Sequence, residues 1–359
     1  LKPLGDLHFE EAVAAFAQII KAADQEAIDL ILIETMNDAY ETKAAVLAAK
    51  ENSNLPVFVT NVYDESGKLM TGATPAAMAA LLEGLRVDAY GMNCSLGPRQ
   101  MKVVAEEMLQ YSSLPLIVSP NAGLPRSESG ETVYEIDAEE FSEVMKEMVA
   151  AGAMIVGGCC GTNPEYIRKT VAKTKQYPYM APQKKKDTVV SSYTHTVTIG
   201  QIPVLIGERI NPTGKSKMKT ALRENNINYI LEEGITQQEK GVQILDVNVG
   251  LPEIDEVKMM QKAIYELQAV LDLPLQIDTA SPLVMEKAMR LYNGKPLVNS
   301  VNGKEESMET VFPLVAKYGG VIIALTLDEK GIPQSAAGRL EIAEKIIQRA
   351  AEYGIEKKD

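Results

Sequence analysis

The stretch FEEAVAAFAQIIKAA (9–23), followed by IDLILIET (28–35), indicates the fold class of the chain. The first segment has apolar residues at helical spacing, whereas the second is a continuous apolar run of strand length. A strand without polar alternation is typical of a parallel sheet covered on both faces. Helix and strand patterns in alternation therefore predict an α/β fold.

The same cycle recurs along the chain and divides it into two halves. Residues 176–200 interrupt the rhythm with two prolines, a lysine run and a polar tract. We therefore expect a domain over 1–175, an interdomain linker over 176–200 and a domain over 201–359. The further candidate strands are LPVFVTNVY (55–63), VDAYGMNC (87–94), LPLIVSPNAG (114–123) and AGAMIVGGCC (151–160), then IPVLIGERIN (202–211), VQILDVNVG (242–250), LPLQIDTAS (273–281), KPLVNSVNG (295–303) and GGVIIALTLDE (319–329).

Each half thus contains five strand–helix units, a count that two architectures accommodate. A closed (βα)₈ barrel has eight strands and places its active site at their carboxyl ends. An open doubly wound sheet can be built from five strands and uses the same ends for ligands. The count alone leaves both open.

Composition excludes several classes of partner and predicts a compartment. The net charge of −13 argues against nucleic acid or an anionic membrane as the main partner. No apolar run approaches the roughly 20 residues that cross a bilayer. Three cysteines, an odd number without framework spacing, are typical of a reduced, cytoplasmic protein. Because the chain opens at Leu1 rather than Met, we expect its native start to lie upstream.

The three cysteines form the sharpest candidate site. Cys159 and Cys160 are adjacent in GGCCGTNP, and Cys94 ends another predicted strand in NCSLGP. Adjacent strand residues face opposite ways, so both sulfurs can serve one ion only where the glycines break the strand into a loop. Three thiolates with an open fourth position match catalytic zinc, which could bind a substrate thiol there. Inert buried thiols and a dithiol redox pair are the alternatives.

The second half carries polar residues at the ends of its predicted strands. A pocket lined by Asp and Asn suits a flat heterocycle rich in hydrogen-bond donors and acceptors. Singly, such residues are common as turn and cap formers. The segment IGERINPTGK lacks the spacing of a phosphate-binding P-loop. The polar residues are Glu208, Asn211, Asp246, Asn248, Asp278 and Asn299.

NCSLGP and GGCCGTNPEYI resemble the zinc signature of the homocysteine S-methyltransferase family. The resemblance implies a (βα)₈ barrel, of which residues 1–175 form the later part, and a catalytic zinc on Cys94, Cys159 and Cys160 that activates homocysteine. Glu34, where the family has an acidic residue, is the candidate to receive the ammonium of homocysteine. Asn93, beside the candidate zinc ligand Cys94, is the second candidate residue of the homocysteine site, as a support behind the ligand. A helix N-terminal carboxylate is the alternative for Glu34, and a strand-end turn residue for Asn93.

IGERIN, ILDVNVG, IDTAS and VNSVNG resemble the pterin-binding methyltransferase family. The resemblance implies a second (βα)₈ barrel, of which residues 201–359 form the amino-terminal part, with further pterin contacts beyond Asp359. Asp278 and Asn299 match positions that hydrogen-bond the pterin ring. The residues expected to line the same pocket are Glu208, Asn211, Gly214, Lys215, Ser216, Asp246 and Asn248.

Together the two resemblances imply methyl transfer from 5-methyltetrahydrofolate through cobalamin to a zinc-activated homocysteine thiolate, which forms methionine. A separate module should carry the cobalamin, because no D-x-H-x-x-G stretch occurs here, and neither His8 nor His195 lies in a ligand context. One alternative is a cobalamin-independent thiol methyltransferase that takes its methyl group from a sulfonium or betaine. Another is a fragment that only binds.

Overall fold

A computed structural model describes residues 1–2, 5–128 and 131–359, and these divide into two compact units, 1–185 and 186–359. Each unit contains a five-stranded parallel sheet in which helices follow the strands. The α/β class with five βα units in each half is thereby confirmed. No helix among the described residues combines the length and the apolarity needed to cross a membrane.

The first unit begins with a helix and continues with alternating strands and helices. Its elements are α1 (Phe9–Ala23), β1 (Ile31–Met36), α2 (Ala39–Asn52), β2 (Val57–Asn61), α3 (Pro75–Gly84), β3 (Ala89–Asn93), α4 (Pro98–Tyr111), β4 (Leu116–Ser119), β5 (Pro125–Glu128), β6 (Glu131–Tyr134), α5 (Ala138–Ala151), β7 (Ile155–Val156) and α6 (Pro164–Thr174).

The second unit begins with a hairpin that precedes its sheet. Its elements are β8 (Thr188–Ser191), β9 (Thr196–Ile199), β10 (Ile206–Ile210), α7 (Ser216–Arg223), α8 (Ile227–Glu239), β11 (Ile244–Val247), α9 (Glu256–Val270), β12 (Leu275–Asp278), α10 (Pro282–Leu291), β13 (Leu297–Asn302), α11 (Glu305–Tyr318), β14 (Val321–Leu325) and α12 (Ala336–Glu352).

Strand order distinguishes between the two architectures that the strand count allows. The sheets run β1-β2-β3-β4-β7 and β10-β11-β12-β13-β14, with every neighbouring pair parallel. A doubly wound sheet reverses its order at a switch point, whereas a (βα)₈ barrel adds each strand beside the last. The observed order is therefore barrel-type. Within the described residues both sheets are open, with β1 and β7, and β10 and β14, at their edges.

Capped helix starts fix the turns that leave the carboxyl ends of the strands. The Asp38 side chain accepts hydrogen bonds from the amides of Tyr40 and Glu41 at the start of α2. Asn163 caps α6 in the same way, and Pro164 occupies the first position of that helix. Such caps satisfy the free amides of a helix start and typically stabilise it by about 1 kcal/mol. The helices that follow β1 and β7 therefore begin at defined residues on this edge of the first sheet.

The segment expected to be a linker contains ordered structure that belongs to the second unit. Strands β8 and β9 pair as an antiparallel hairpin within 176–200. Its Val190 and Val197 are buried against Ile244, Leu297 and Val321, at the amino-terminal ends of three sheet strands. Val190 and Val197 are paired directly across the hairpin, so their side chains lie on the same face, which packs against the sheet. The boundary between the two compact units lies between residues 185 and 186, so the hairpin belongs to the second unit.

Two further differences concern the strands around the paired cysteines. The run 151–160 forms a strand only at Ile155–Val156, because α5 extends to Ala151 and ends at Gly152. Between β4 and α5 lies an antiparallel hairpin of β5 and β6 that the sequence patterns did not predict. All four residues of β5 are exposed, so no apolar periodicity marks this hairpin.

Candidate functional site

The structure brings the three cysteines together at the carboxyl edge of the first sheet. Their sulfur atoms all lie within 4.8 Å of one another. The Sγ of Cys160 is 3.8 Å from that of Cys94 and 3.9 Å from that of Cys159. All three are free thiols, and Cys160 is the most exposed. Residues that are 65 positions apart in sequence thus form one compact cluster.

Backbone turns over the end of β4 make this cluster possible. Cys94 follows β3 and Cys159 follows β7, and because β4 separates these strands, a flat arrangement would hold them about 10 Å apart. The amide of Cys94 donates to Ser119 O at 3.1 Å, and that of Cys159 to Pro120 O at 2.8 Å. Cys94 has a φ of 62°, an uncommon backbone conformation for a residue other than glycine, so the chain turns sharply directly after β3.

Asn93 links the cysteine cluster to two other strands. Its Oδ1 accepts from the Thr35 amide at 3.0 Å and from the Thr60 hydroxyl at 2.8 Å. Its Nδ2 donates to Thr35 Oγ1 at 2.8 Å and lies 3.9 Å from Cys159 Sγ. The side chain is only 2% exposed. The structure therefore places Asn93 behind the sulfur cluster, where it holds β1, β2 and β3 in register.

Asn121 supports the cluster from the end of β4. Its Oδ1 accepts from the Cys160 amide at 3.1 Å, and its own amide donates to Leu96 O at 3.0 Å. Glu34, by contrast, is exposed near the carboxyl end of β1, beside Thr35. Its carboxylate is therefore accessible to a ligand on the same edge of the sheet as the cysteines.

The sulfur geometry fits a tetrahedral zinc ion. With zinc–sulfur bonds of about 2.3 Å, a tetrahedron has sulfur–sulfur edges of about 3.8 Å. The two distances from Cys160 match this edge. Burial raises the pKa of the Cys159 thiol to about 11, and its proximity to Cys94 adds to the effect. A cation at the centre of the cluster would offset both costs, because it favours the thiolate form.

In the second unit, the predicted polar residues at the ends of β10, β11 and β12 form separate hydrogen-bonded groups. Asn248 Nδ2 donates to Asp278 Oδ2 at 2.9 Å. Lys215 Nζ donates to Glu208 O at 2.9 Å, and Asn211 Nδ2 donates to Glu208 Oε1 at 3.4 Å. Gly214 and Ser216 flank Lys215 and are exposed at the start of α7. Side chains in these groups therefore hold one another in place through hydrogen bonds, and Gly214 and Ser216 add to the exposed surface beside them.

Asp246 lies deeper than its neighbours in this set. It is 1% exposed and accepts a short hydrogen bond from Gln276 Nε2. Burial raises the pKa of its carboxyl group to about 7, and Asp278 and Glu208 contribute in the same direction. Burial also raises the pKa of Asp278, against the hydrogen bond from Asn248. The acidic cluster therefore holds fewer negative charges near neutral pH than its composition indicates.

A cavity of about 370 Å³ adjoins this set at the ends of β12 and β13. Asp278 and Asn299 line it, together with residues at the starts of α10 and α11 that include Thr279 and Lys304. The other predicted residues of the second unit lie outside its lining. The structure thus places two of the predicted residues at an opening of ligand size.

Comparison with protein families assigns each unit. Residues 2–174 match the homocysteine S-methyltransferase family, and residues 207–359 match the pterin-binding enzymes. The chain is 28% identical over 376 aligned positions to a methionine synthase of Mycobacterium leprae, covering 99% of this chain. It is 30% identical over 332 positions to a methionine synthase of Mycobacterium tuberculosis, covering 89% of this chain.

The chain is of the methionine synthase type. Both family resemblances in the sequence are thereby confirmed. The chain spans only 31% and 28% of the lengths of those two relatives. Among solved structures, the homocysteine methyltransferase MmuM of Escherichia coli matches with a TM-score of 0.40 in its apo form, at 23% identity over 47% of this chain and 58% of that one. Its metallated form matches with a TM-score of 0.39, at 25% identity over 47% and 54%.

Sequence reasoning about this methionine synthase-type chain missed several supporting residues. Asn121 lies in a stretch already recognised as a strand end, where its amide could have been noticed. Thr35, Thr60 and Gln276 have no distinguishing sequence pattern, because their roles depend on which strands are neighbours. Tyr134 lies at the end of the unpredicted hairpin and close to the cysteines.

Proposed function

We propose that the chain provides the homocysteine and folate sites of a methyl-transfer reaction that forms methionine. The methyl group of 5-methyltetrahydrofolate passes by way of cobalamin, carried on a module outside residues 1–359, to the sulfur of homocysteine. Overall, the bond between folate N5 and the methyl group breaks and a sulfur–methyl bond forms. The thiol proton replaces the methyl group on the folate, so the reaction needs no oxidant or reductant.

The cysteine geometry is the observation that carries the thiol half of this proposal. Cys94, Cys159 and Cys160 would hold zinc through sulfur atoms that lie within 4.8 Å of one another, and both distances from the Cys160 sulfur match the edge of a tetrahedron. The ion, when bound, supplies positive charge that favours the thiolate form of a fourth sulfur ligand. Glu34 receives the ammonium group of homocysteine, and Asn93 keeps the cluster aligned with the end of β1.

The folate half rests on Asp278 and Asn299 at the cavity beside β12 and β13. Both offer groups that can hydrogen-bond the amide and amine edge of a pterin ring. Asn248 orients Asp278, while Glu208, Asn211, Gly214, Lys215, Ser216 and Asp246 complete the surrounding polar surface. The match of residues 207–359 to pterin-binding enzymes supports folate over a sulfonium or betaine donor. A cytoplasmic location, suggested by the free thiols, is part of the proposal.

Metal analysis of the 359-residue chain tests the thiol site directly. We expect one zinc per chain in the unaltered protein and a loss of most of it in Cys160→Ser, because two thiolates hold zinc poorly. Ser66→Ala, which alters an exposed loop hydroxyl, is the matched control and should keep its zinc. Zinc retained with unchanged affinity in Cys160→Ser would refute the metal assignment.

Substrate assays test the two halves separately. Free methylcobalamin and homocysteine should yield methionine with the unaltered chain and not with Cys160→Ser. Titration with 5-methyltetrahydrofolate should show one binding site that Cys160→Ser leaves intact. A chain that binds zinc but no folate would remove the pterin half, and a chain that binds both but transfers no methyl group would be a binding fragment.

A further inference from the structure

The cavity beside β12 and β13 extends beyond the two residues that are expected to bind the pterin ring. Its volume of about 370 Å³ lies in the range of about 300–1,000 Å³ that is usual for small-molecule sites. Asp278 and Asn299 line it from adjacent strands, where they are register partners. The remaining lining comes from the loop after β12, the end of β13 and the starts of α10 and α11. These further residues can contact the part of a ligand that lies outside the ring.

Apolar side chains from both helices line part of the cavity. Pro282 and Met285 belong to α10, and Val311 belongs to α11. Met285 and Val311 are only 2% and 5% exposed, so they form its inner wall. An aromatic ring bound against this wall would lose contact with water, which favours binding. The benzoyl group between the pterin ring and the glutamate of 5-methyltetrahydrofolate is a ring of this kind.

Lys304 adds a cation to the lining at the residue that precedes α11. Its side chain is exposed, and within residues 1–2, 5–128 and 131–359 its ammonium group has no hydrogen-bond or ion-pair partner. Two carboxylates on α11 are instead paired with cations of α12. Glu305 lies 2.9 Å from Lys345, and Glu309 lies 3.7 Å from Arg349. The charge of Lys304 is therefore left for a ligand.

Hydrogen bonds fix the turn that carries Lys304. Its amide donates to Asn302 Oδ1 at 3.0 Å, and the Asn302 amide donates to Ser307 Oγ at 3.1 Å. Between them, the Gly303 amide donates to Leu327 O at 2.8 Å. The backbone at Lys304 is thus held in a defined position relative to the end of β13, the strand that also carries Asn299.

Glu306 is the opposing charge on the same side of the cavity. It is exposed and contributes to the lining two residues after Lys304. An anionic group near the start of α11 would be attracted by Lys304 and by the free amides of the helix start, and repelled by Glu306. The two side chains therefore have opposite effects on an anionic ligand, and their substitution tests the sign of its charge.

We propose that Lys304 is a specificity-determining residue of the folate site, whose ammonium group binds a carboxylate of the glutamate tail while Met285 and Val311 contact the benzoyl ring. This inference rests on the proposed binding of the pterin ring at Asp278 and Asn299. Three kinds of lining then match three parts of the ligand: hydrogen-bonding groups for the pterin, apolar side chains for the benzoyl ring and a cation for the glutamate. Lys304 thereby favours ligands that carry the anionic tail.

Isothermal titration calorimetry of the 359-residue chain tests the role of Lys304 with two probes. One is 5-methyltetrahydrofolate, and the other is its dimethyl ester, which keeps the ring and the tail but removes both negative charges. Lys304→Gln should weaken binding of the acid about 5-fold and leave binding of the ester unchanged. Glu306→Gln should strengthen binding of the acid about 2-fold, again without effect on the ester. Lys317→Gln, at the other end of α11, is the matched control and should change neither affinity.

The two probes distinguish failure of this inference from failure of the proposed function. Equal affinities for the acid in Lys304→Gln and the unaltered chain would place the glutamate elsewhere and overturn the role of Lys304. An equal loss for acid and ester would overturn it as well, because the effect would then not depend on the charge of the tail. An unaltered chain that binds neither compound overturns the proposed folate site itself.

Discussion

Asn93 and Thr35 are joined by two hydrogen bonds that run in opposite directions. The Thr35 amide donates to Asn93 Oδ1 at 3.0 Å, and Asn93 Nδ2 donates to Thr35 Oγ1 at 2.8 Å. The pair spans from β1 to β3, with β2 between them. Because Cys94 directly follows Asn93, this reciprocal contact ties the position of a candidate ligand to the end of β1, where Glu34 is exposed.

Asn93→Ala should both destabilise the first unit and weaken its metal site. The change leaves the Thr35 amide and the Thr60 hydroxyl without their acceptor, at a cost of about 2–4 kcal/mol in the free energy of unfolding. Zinc affinity should fall about 10-fold through the lost support of the cluster. Pulse proteolysis in urea, read on residues 1–185, and chelator competition measure the two effects. Asn52→Ala, which loses one bond to Ala48 O on α2, should cost about 1 kcal/mol and spare zinc binding.

Asp246 should make the second unit less stable as the pH rises. Its pKa of about 7 in the folded state exceeds the ordinary value of 3.8, so the folded state binds more protons between these values. Stability from this group is therefore complete below about pH 4 and is lost as the pH rises through 7. Between pH 5 and pH 8 the unaltered chain should lose about 2–3 kcal/mol relative to Asp246→Asn.

Pulse proteolysis in urea at each pH, read on residues 186–359, checks this expectation. Asp187→Asn removes an exposed carboxylate from the same unit and should follow the unaltered protein across the range. Parallel curves for Asp246→Asn and the unaltered chain would show that Asp246 ionises in the folded state as readily as in the unfolded one.

Asn248→Ala should weaken folate binding although Asn248 lies outside the cavity lining. Its amide holds the Asp278 carboxylate at 2.9 Å, and freeing that carboxylate misplaces an expected acceptor for the pterin ring. We expect a loss of about 10-fold in affinity for 5-methyltetrahydrofolate, and a larger loss for Asp278→Ala. Isothermal titration calorimetry measures both. Gln238→Ala, on the surface of α8, is the control; equal affinities in all variants would place the folate elsewhere.

Gly91→Ala should prevent the first unit from folding normally. A Cβ at Gly91 would lie 1.8 Å from Ile117 O, a backbone atom of the neighbouring strand that cannot move without disturbing the sheet. The expected destabilisation exceeds about 4 kcal/mol. The yield of protease-resistant residues 1–185 measures it. Gly67→Ala, whose nearest neighbour would be at 3.8 Å, should cost only the strain of its φ of 73°. A stable Gly91→Ala chain would contradict the close strand approach.

The paired cysteines show how far local patterns reach. An apolar run followed by glycines placed Cys159 and Cys160 in a loop after a strand, and this prediction needed only the geometry of β-strands. The same patterns missed the hairpin that carries Tyr134, because an exposed β5 has no apolar periodicity to detect. They also assigned the hairpin of β8 and β9 to a linker, since a short valine and threonine alternation resembles a polar tract until its burial is known.

The sequence by itself determined the α/β class, the ten sheet strands and the identity of the three thiols, because these depend on local periodicity and residue chemistry. Only the tertiary structure decided that Cys94 meets Cys159 and Cys160, since β3 and β7 converge over β4 through backbone turns with no local sequence signature. It also decided that Asn93 supports the cluster from behind and that Asp246 is buried beside Gln276. Hydrogen bonds and burial across neighbouring strands are long-range properties, and they exist only once the strands are side by side.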